Sequence, residues 1–177
     1  QKMEMNINSK QPVISTFAEH WKTGRFSDSK WDKKITVNIT TLDELIKKFG
    51  NPKYIKIDVE GFEHEVILGL TKKSGIISFE FTSEFIEDAF KSLDYLISLG
   101  YSDFNYSLGE RRKFFTQWTT AISIKEDIET TLVGTFDHLN AVSKDPELLT
   151  RSFEMSARLA ACAGALREVH SVKTEDY

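Results

Sequence analysis

The sequence predicts an α/β domain built on a mostly parallel sheet, and three observations predict it. Short β-branched and aromatic runs, Tyr54 to Val59 and Ile76 to Phe81, alternate with segments whose apolar residues recur at helical spacing. Glycines close those helical segments at Gly50, Gly69 and Gly100. Acidic residues gather where one of the runs stops, at Asp58 and Glu60 ahead of Gly61. Alternating strands and helices imply helices on the faces of a sheet. In such sheets ligands sit beyond the carboxyl ends of the strands, where this acidic turn falls.

Composition narrows the function classes. A chain of 177 residues with 40% hydrophobic and 28% charged content is long enough for one domain with a real core. A net charge of -4 argues against bulk nucleic-acid binding, which needs a strong basic excess. No apolar run reaches the length of a membrane span, and the polar start carries no signal peptide. The single cysteine, Cys162, cannot form an internal disulfide, which suits a cytoplasmic protein. A start at Gln1 rather than Met leaves room for upstream sequence.

In chain order, Gln1 to Asn8 reads as a strand or a linker, with Met3, Met5 and Ile7 alternating with polar residues. Pro12 to Trp31 reads as a loop in which Phe17, Trp21, Phe26 and Trp31 interleave with Lys22, Arg25 and Lys30. It is either a substrate-covering loop, with aromatics for stacking and Arg25 for an anionic group, or a surface loop pinned by its aromatics. Ile35, Val37 and Ile39 make a strand exposed on one face. Thr41 and Glu44 have the spacing of a capping box, and Leu42, Leu45, Ile46 and Phe49 form the expected buried stripe of the helix that follows. Tyr54 to Val59 has the length of a central strand, and Phe62, Val66 and Leu70 mark a helix after it.

Ile76 to Phe81 is the second strand and ends on Glu80; Ser83 is placed to cap a helix from Glu84 to Leu99. Tyr101 to Tyr106 reads as an edge strand, Arg111-Arg112-Lys113 as a solvated turn, and Phe114 to Thr120 as strand-like. Ser123, with Glu126 three residues on, caps a last helix through Ile128 and Leu132. The composition then changes: the first 136 residues hold fifteen isoleucines and three alanines, the remainder no isoleucine and six alanines. Asp145-Pro146 starts an expected single long helix, with Leu148, Met155, Leu159, Cys162, Leu166 and Val169 near heptad spacing. The division expected is therefore 1–135 as an α/β unit and 136–177 as an Ala-rich helical tail.

Thr41-Leu42-Asp43-Glu44-Leu45, a short spacer, and then Ile55-Lys56-Ile57-Asp58-Val59-Glu60-Gly61-Phe62-Glu63 resemble the FkbM family of S-adenosylmethionine-dependent methyltransferases. Gly69-Leu70 and Ser78-Phe79-Glu80-Phe81 sit where that family has its next helix end and strand. The likeness runs from about Ile14 to Leu132. It implies a class I methyltransferase fold, a doubly wound Rossmann-like sheet, with S-adenosylmethionine as cofactor. It also implies methyl transfer to a hydroxyl on a sugar or small metabolite. The nine glycines form no G-x-G turn of the kind that holds the cofactor in such enzymes. On this resemblance the chain is a partial sheet, the C-terminal half of the domain. It would lack the N-terminal glycine-rich strand units and carry a C-terminal helical extension. The chain alone is then expected not to turn over.

The residues themselves suggest the chemistry. Positioning an acceptor oxygen supplies much of the acceleration in a displacement on an activated carbon, and a base helps because a neutral hydroxyl is a poor nucleophile. Asp58 and Glu60 stand where an acceptor approaches; His64, one helical turn beyond Glu60, could pair with it as a base and its orienting partner. Glu80 could hydrogen-bond the acceptor hydroxyl. Each has a plainer alternative: Asp58 as a turn acceptor, Glu60 and Glu63 as charges favoured at a helix start, His64 and Glu80 as ordinary polar residues. No spacing is diagnostic of a metal site. The competing function is a non-catalytic interaction module that forms a homodimer through its C-terminal helix.

Overall fold

The computed structural model describes residues 1–23, 26–108 and 117–130 and the backbone of 157–162. Two β-structures divide it. The first is a two-stranded antiparallel ribbon of β1 (Lys2–Ile7) and β2 (Lys33–Asn38), in register Met3 to Val37 and Met5 to Ile35. The alternation read in both segments is the alternation of this ribbon: Ile35 and Val37 are half-buried, and Thr36 and Asn38 are exposed. Between its strands lie a short 3₁₀ turn (Pro12–Ile14) and α1 (Glu19–Thr23).

The second is a four-stranded sheet in the order β3 (Tyr54–Ile57), β4 (Ile76–Phe81), β6 (Ala157–Cys162), β5 (Asp103–Leu108). β3 and β4 are parallel, while β6 runs antiparallel to β4 and β5 on either side of it. The expected mostly parallel sheet is therefore mixed. The expected central strand, β3, has β4 as its one neighbour among the described residues, and Tyr54 is exposed. The edge position expected for the Tyr101 to Tyr106 segment is that of β5.

The single long C-terminal helix is also corrected. Residues 157–162, Cys162 included, are strand, because ladders on both sides draw them into the sheet. Alanine's helix preference is a weak prior that such tertiary pairing overrides. The helix start at 145–146, the turn at 111–113 and Arg25 lie outside the described residues.

Helices α2 (Leu42–Phe49), α3 (Glu63–Leu68), α4 (Ile86–Ser98) and a helical segment at 121–130 complete the fold. Ile57, Ile77, Phe79 and Phe81 of the strands pack with Ile67 and Leu70, with Ala89, Leu93 and Leu96 of α4, and with Ala121, Ile124 and Ile128. The capping box forms. The Thr41 hydroxyl accepts the Glu44 N–H at 3.2 Å, and the Glu44 carboxylate takes the Thr40 hydroxyl at 2.6 Å and the Thr41 N–H, which hold it below the usual carboxylate range. Asp43 fixes α2 against the exit of α3 by accepting the Thr71 N–H and hydroxyl.

The α2 stripe is narrower than its spacing suggests. Leu42 and Ile46 meet the core, whereas Leu45 and Phe49 are exposed. Two caps move as well. Ser83 opens a 3₁₀ turn (Ser83–Phe85), and α4 starts after it with Phe85 at its N-cap. The segment at 121–130 takes its cap from Thr120, whose hydroxyl accepts the Ser123 N–H at 3.3 Å.

Candidate functional site

β3 stops at Ile57, and the chain reverses over the next five residues to enter α3. Two consecutive left-handed residues make the reversal, Glu60 at φ 55° and Gly61 at φ 89°. Left-handed backbone is unremarkable for glycine but strained for glutamate, a condition that concentrates at functional sites. Glu63 holds the turn in place. One carboxylate oxygen accepts the Val59 N–H at 3.0 Å and the other the Gly61 N–H at 3.1 Å. Glu63 is buried; desolvation, with a smaller contribution from the nearby Glu80 charge, pushes its carboxyl above the usual range against the pull of those N–H bonds.

The ribbon reaches this turn from the other side. Thr16 is fully buried, and its hydroxyl donates to the Glu60 carbonyl at 2.6 Å while accepting the Ala18 N–H. Phe17 stacks on Phe62 at 5.3 Å between ring centroids. Trp21 of α1 then packs between Phe26, at 5.1 Å, and Phe85, at 5.5 Å. Such tilted aromatic contacts add stability beyond the area they bury.

Between the ribbon and the sheet lies a cavity of about 220 Å³. Its walls are Ile14, Trp21, Phe26, Phe81 and Phe85, and Glu60, Gly61, Glu63, Glu80 and Thr82 supply its polar surface. It opens at the carboxyl ends of the parallel pair β3 and β4, the position expected for ligands in an α/β sheet. Two lining residues each bury a polar atom, the Trp21 indole nitrogen and the Thr82 hydroxyl, that has no hydrogen-bond partner among the described residues. A narrower crevice adjoins it, where Gly61, Glu63, Glu80 and Phe85 meet His64, Asp88 and Ser92.

The four residues singled out in the sequence divide accordingly. Glu60 and Glu80 line the cavity. His64 lies in the adjoining crevice, and the partner of its Nδ1 is the Ser92 hydroxyl at 2.9 Å rather than Glu60. Ser92 donates its own proton to the Asp88 carbonyl at 2.7 Å, so in the neutral ring it is Nδ1 that carries the proton and Nε2 that is left as an acceptor. Asp58 is not part of either lining; it makes a 2.5 Å ion pair with Lys56 at the protein surface.

Three contributors were missed: Glu63, taken as a helix-start charge, and Thr82 and Phe85. The spacing of Glu63, three residues after Glu60, carried no signal that its carboxylate closes the turn. Among the described residues no group of three His, Cys, Asp or Glu side chains could hold a metal ion. No helix among them is long and apolar enough to cross a membrane.

The chain matches the Methyltransferase FkbM domain over residues 4–118, well over half its length. The chain belongs to the FkbM methyltransferase family. The match spans most of the ribbon, the acidic turn, β3, β4 and α4, so every residue of the cavity lies within the FkbM region. No curated protein and no solved structure matches the chain. FkbM methyltransferases generally use S-adenosylmethionine. The cavity does not fit that molecule whole: pockets for drug-sized ligands run to roughly 300–1,000 Å³, and this one is about 220 Å³.

Proposed function

We propose that this FkbM protein is an S-adenosylmethionine-dependent O-methyltransferase whose cavity receives the acceptor, a hydroxyl-bearing sugar or small metabolite. One observation carries the reading. Three glutamates and four aromatic side chains converge on one space at the carboxyl ends of a parallel strand pair. Carboxylates accept hydrogen bonds from hydroxyls, and aromatic faces cover the apolar side of a small ring.

S-adenosylmethionine, when bound, would supply an activated methyl group. What this chain's own residues do concerns the acceptor. Trp21, Phe26 and Phe85 shield it from water and fix its plane. Glu80 accepts the hydrogen bond of the reacting hydroxyl and takes its proton as the oxygen becomes nucleophilic. Glu60 holds a second hydroxyl, and Glu63 keeps Glu60 and Gly61 in place. His64, one crevice away with Nε2 as acceptor, is the nearest second base. Asp58 is a positioning residue at most, given its surface ion pair with Lys56.

The test is incubation of the full-length protein, with any sequence upstream of Gln1 included, with methyl-labelled S-adenosylmethionine and a panel of sugar and small-alcohol acceptors, following labelled product and S-adenosylhomocysteine. Expected is transfer to at least one acceptor that Glu80→Gln lowers by about 10²–10⁴-fold, the usual value of a positioned base. Absence of transfer to the whole panel, or an unaffected Glu80→Gln, defeats the proposal. The rival reading, a module that dimerises through its C-terminal helix, is not favoured, since residues 157–162 are strand inside the sheet.

A further inference from the structure

We infer that the surface at the amino-terminal ends of β3 and β4, opposite the cavity, docks on an anionic lipid bilayer. Lys47, Lys48, Lys53, Lys72 and Lys73 supply its charge, and Leu45 and Phe49 supply its apolar contact. The inference does not depend on the methyl-transfer reading.

Two segments build this surface, α2 and the loop at 69–75 that leads from α3 into β4. The loop is tied to both ends of the helix. At the start of α2, the Asp43 carboxylate accepts the Thr71 N–H and the Asp43 N–H donates to the Gly69 carbonyl at 3.0 Å. Past its end, the Ser74 hydroxyl donates to the Asn51 side-chain oxygen at 3.4 Å. Gly75 sits so close to the Pro52 carbonyl that a Cβ there would lie 2.5 Å from its oxygen. β3 and β4 start from these same segments, at Tyr54 and Ile76, and the cavity opens where the two strands finish.

The surface is basic on a chain whose net charge is -4. Residues 45–57 hold four lysines and residues 66–79 two, with no Asp or Glu in either stretch. Lys56 pairs with Asp58, but the other five are exposed and make no ion pair among the described residues. The two acids at the start of α2 are already engaged, Asp43 by Thr71 and Glu44 by Thr40. Leu45 and Phe49 lie one helical turn apart on the outer side of α2, 40% and 73% exposed, with the Lys48 ammonium 5.0 Å from the Phe49 ring centre. A surface helix that shows leucine and phenylalanine among lysines has the chemistry of a bilayer interface: the apolar side chains enter the headgroup boundary and the ammonium groups meet the lipid phosphates. A second copy of the chain would set these lysines against their like. A nucleic acid would use the charge and the Phe49 ring but leave Leu45, which has no ring for a base to stack on, without a role. Docking by this surface leaves the cavity, at the other end of the strands, open to solvent.

The experiment uses the full-length protein, with any sequence upstream of Gln1 included. It is floated with vesicles of phosphatidylcholine alone or mixed with phosphatidylserine. Expected is binding to the mixed vesicles only, and its loss when salt is raised from about 0.1 M to about 1 M, which shortens the reach of charge from about 10 Å to about 3 Å. Lys53→Gln and Lys72→Gln should each weaken vesicle binding about fivefold. Phe49→Ala should weaken it about tenfold, through the apolar area no longer removed from water. Lys10→Gln is the control, because Lys10 is equally exposed but lies on the ribbon side, and it should change nothing. All four variants replace exposed side chains and should melt with wild type.

No binding to the mixed vesicles, equal binding to neutral ones, or an equal effect of Lys10→Gln overturns the inference. So does a competing occupant: a dimer in sedimentation that Phe49→Ala dissolves, binding of single-stranded RNA in place of vesicles with the same lysine dependence, or protection of Lys53 and Lys72 from acetylation before any vesicle is added. Methyl transfer to a soluble acceptor is read separately, so its absence would overturn the reaction and leave the docking surface standing.

Discussion

The Glu63 carboxylate accepts the Gly61 N–H at 3.1 Å while its second oxygen takes the Val59 N–H, so a side chain on the first turn of α3 shapes the loop that precedes it. Glu63→Gln keeps the shape but turns an amide nitrogen toward one of these donors. A stability loss of about 1–3 kcal/mol is expected, the cost of a buried donor left unmade, measurable by urea unfolding at neutral pH.

The same residue sets a pH dependence. Burial raises the Glu63 carboxyl above its ordinary 4.5 in the folded protein. The unfolded chain therefore loses this proton first as pH rises, and stability falls over the interval between 4.5 and the raised folded value. Wild type should accordingly gain stability relative to Glu63→Gln as pH is lowered through that interval, and the difference should be flat above it. Paired denaturation curves from neutral to acid pH check it; a difference that narrows on acidification contradicts it.

Gly61→Ala tests the turn from the other side. A Cβ there would lie 3.0 Å from the Phe85 ring, on a residue whose φ of 89° already disfavours any side chain. A loss of about 1–3 kcal/mol is expected from the strained backbone alone, with Phe85 displaced from the cavity wall. Gly50→Ala is the control, because Gly50 has a φ of 90° and nothing within 4 Å of its would-be Cβ. Acceptor binding should suffer in Gly61→Ala and not in Gly50→Ala, as titration of the two variants would reveal.

Asp58 and Glu80 make a contrast in turnover. Asp58→Asn removes a charge from a surface ion pair with Lys56, an interaction worth about 0–1 kcal/mol, at a position outside the cavity lining. Glu80→Gln removes a carboxylate that belongs to the lining. Steady-state kinetics should show a far larger fall in kcat for Glu80→Gln than for Asp58→Asn. The reverse order would return the base to the first acid after β3.

His64 and Ser92 give a spectroscopic prediction. Ser92 spends its proton on the Asp88 carbonyl, which fixes the neutral His64 ring with its hydrogen on Nδ1. The ¹⁵N shifts of His64 should identify an unprotonated Nε2. In Ser92→Ala that preference should relax toward the mixture of an unconstrained imidazole, with about 0.5–1.5 kcal/mol lost from stability for the missing bond.

What the sequence disclosed and what it hid follow the range of the interactions involved. The Thr41 cap, β2 and β4 depend on neighbours within a few residues, and local spacing revealed them. Glu60 and Glu80 were legible as strand-end acids because the position follows from the strand itself. Trp21 was visible as one of a group of loop aromatics, but its contact with Phe85 bridges two distant segments, and no local pattern encodes it. Residues 157–162 were misread for the same reason: alanine and leucine at helical spacing look helical until β4 and β5 offer hydrogen bonds on both sides. The Ser123 cap failed on a smaller matter, since Thr120 competes for the same role three residues earlier.

The hook between the Thr16 hydroxyl and the Glu60 carbonyl has a consequence for dynamics. The ribbon carries Trp21 and Phe26, the sheet carries Glu80 and Thr82, and whatever fills the space between them grips both at once. Occupancy should then slow deuterium uptake along β1 and β2, strands no guest atom touches, because a guest held by both bodies stabilises the clasped arrangement by mass action.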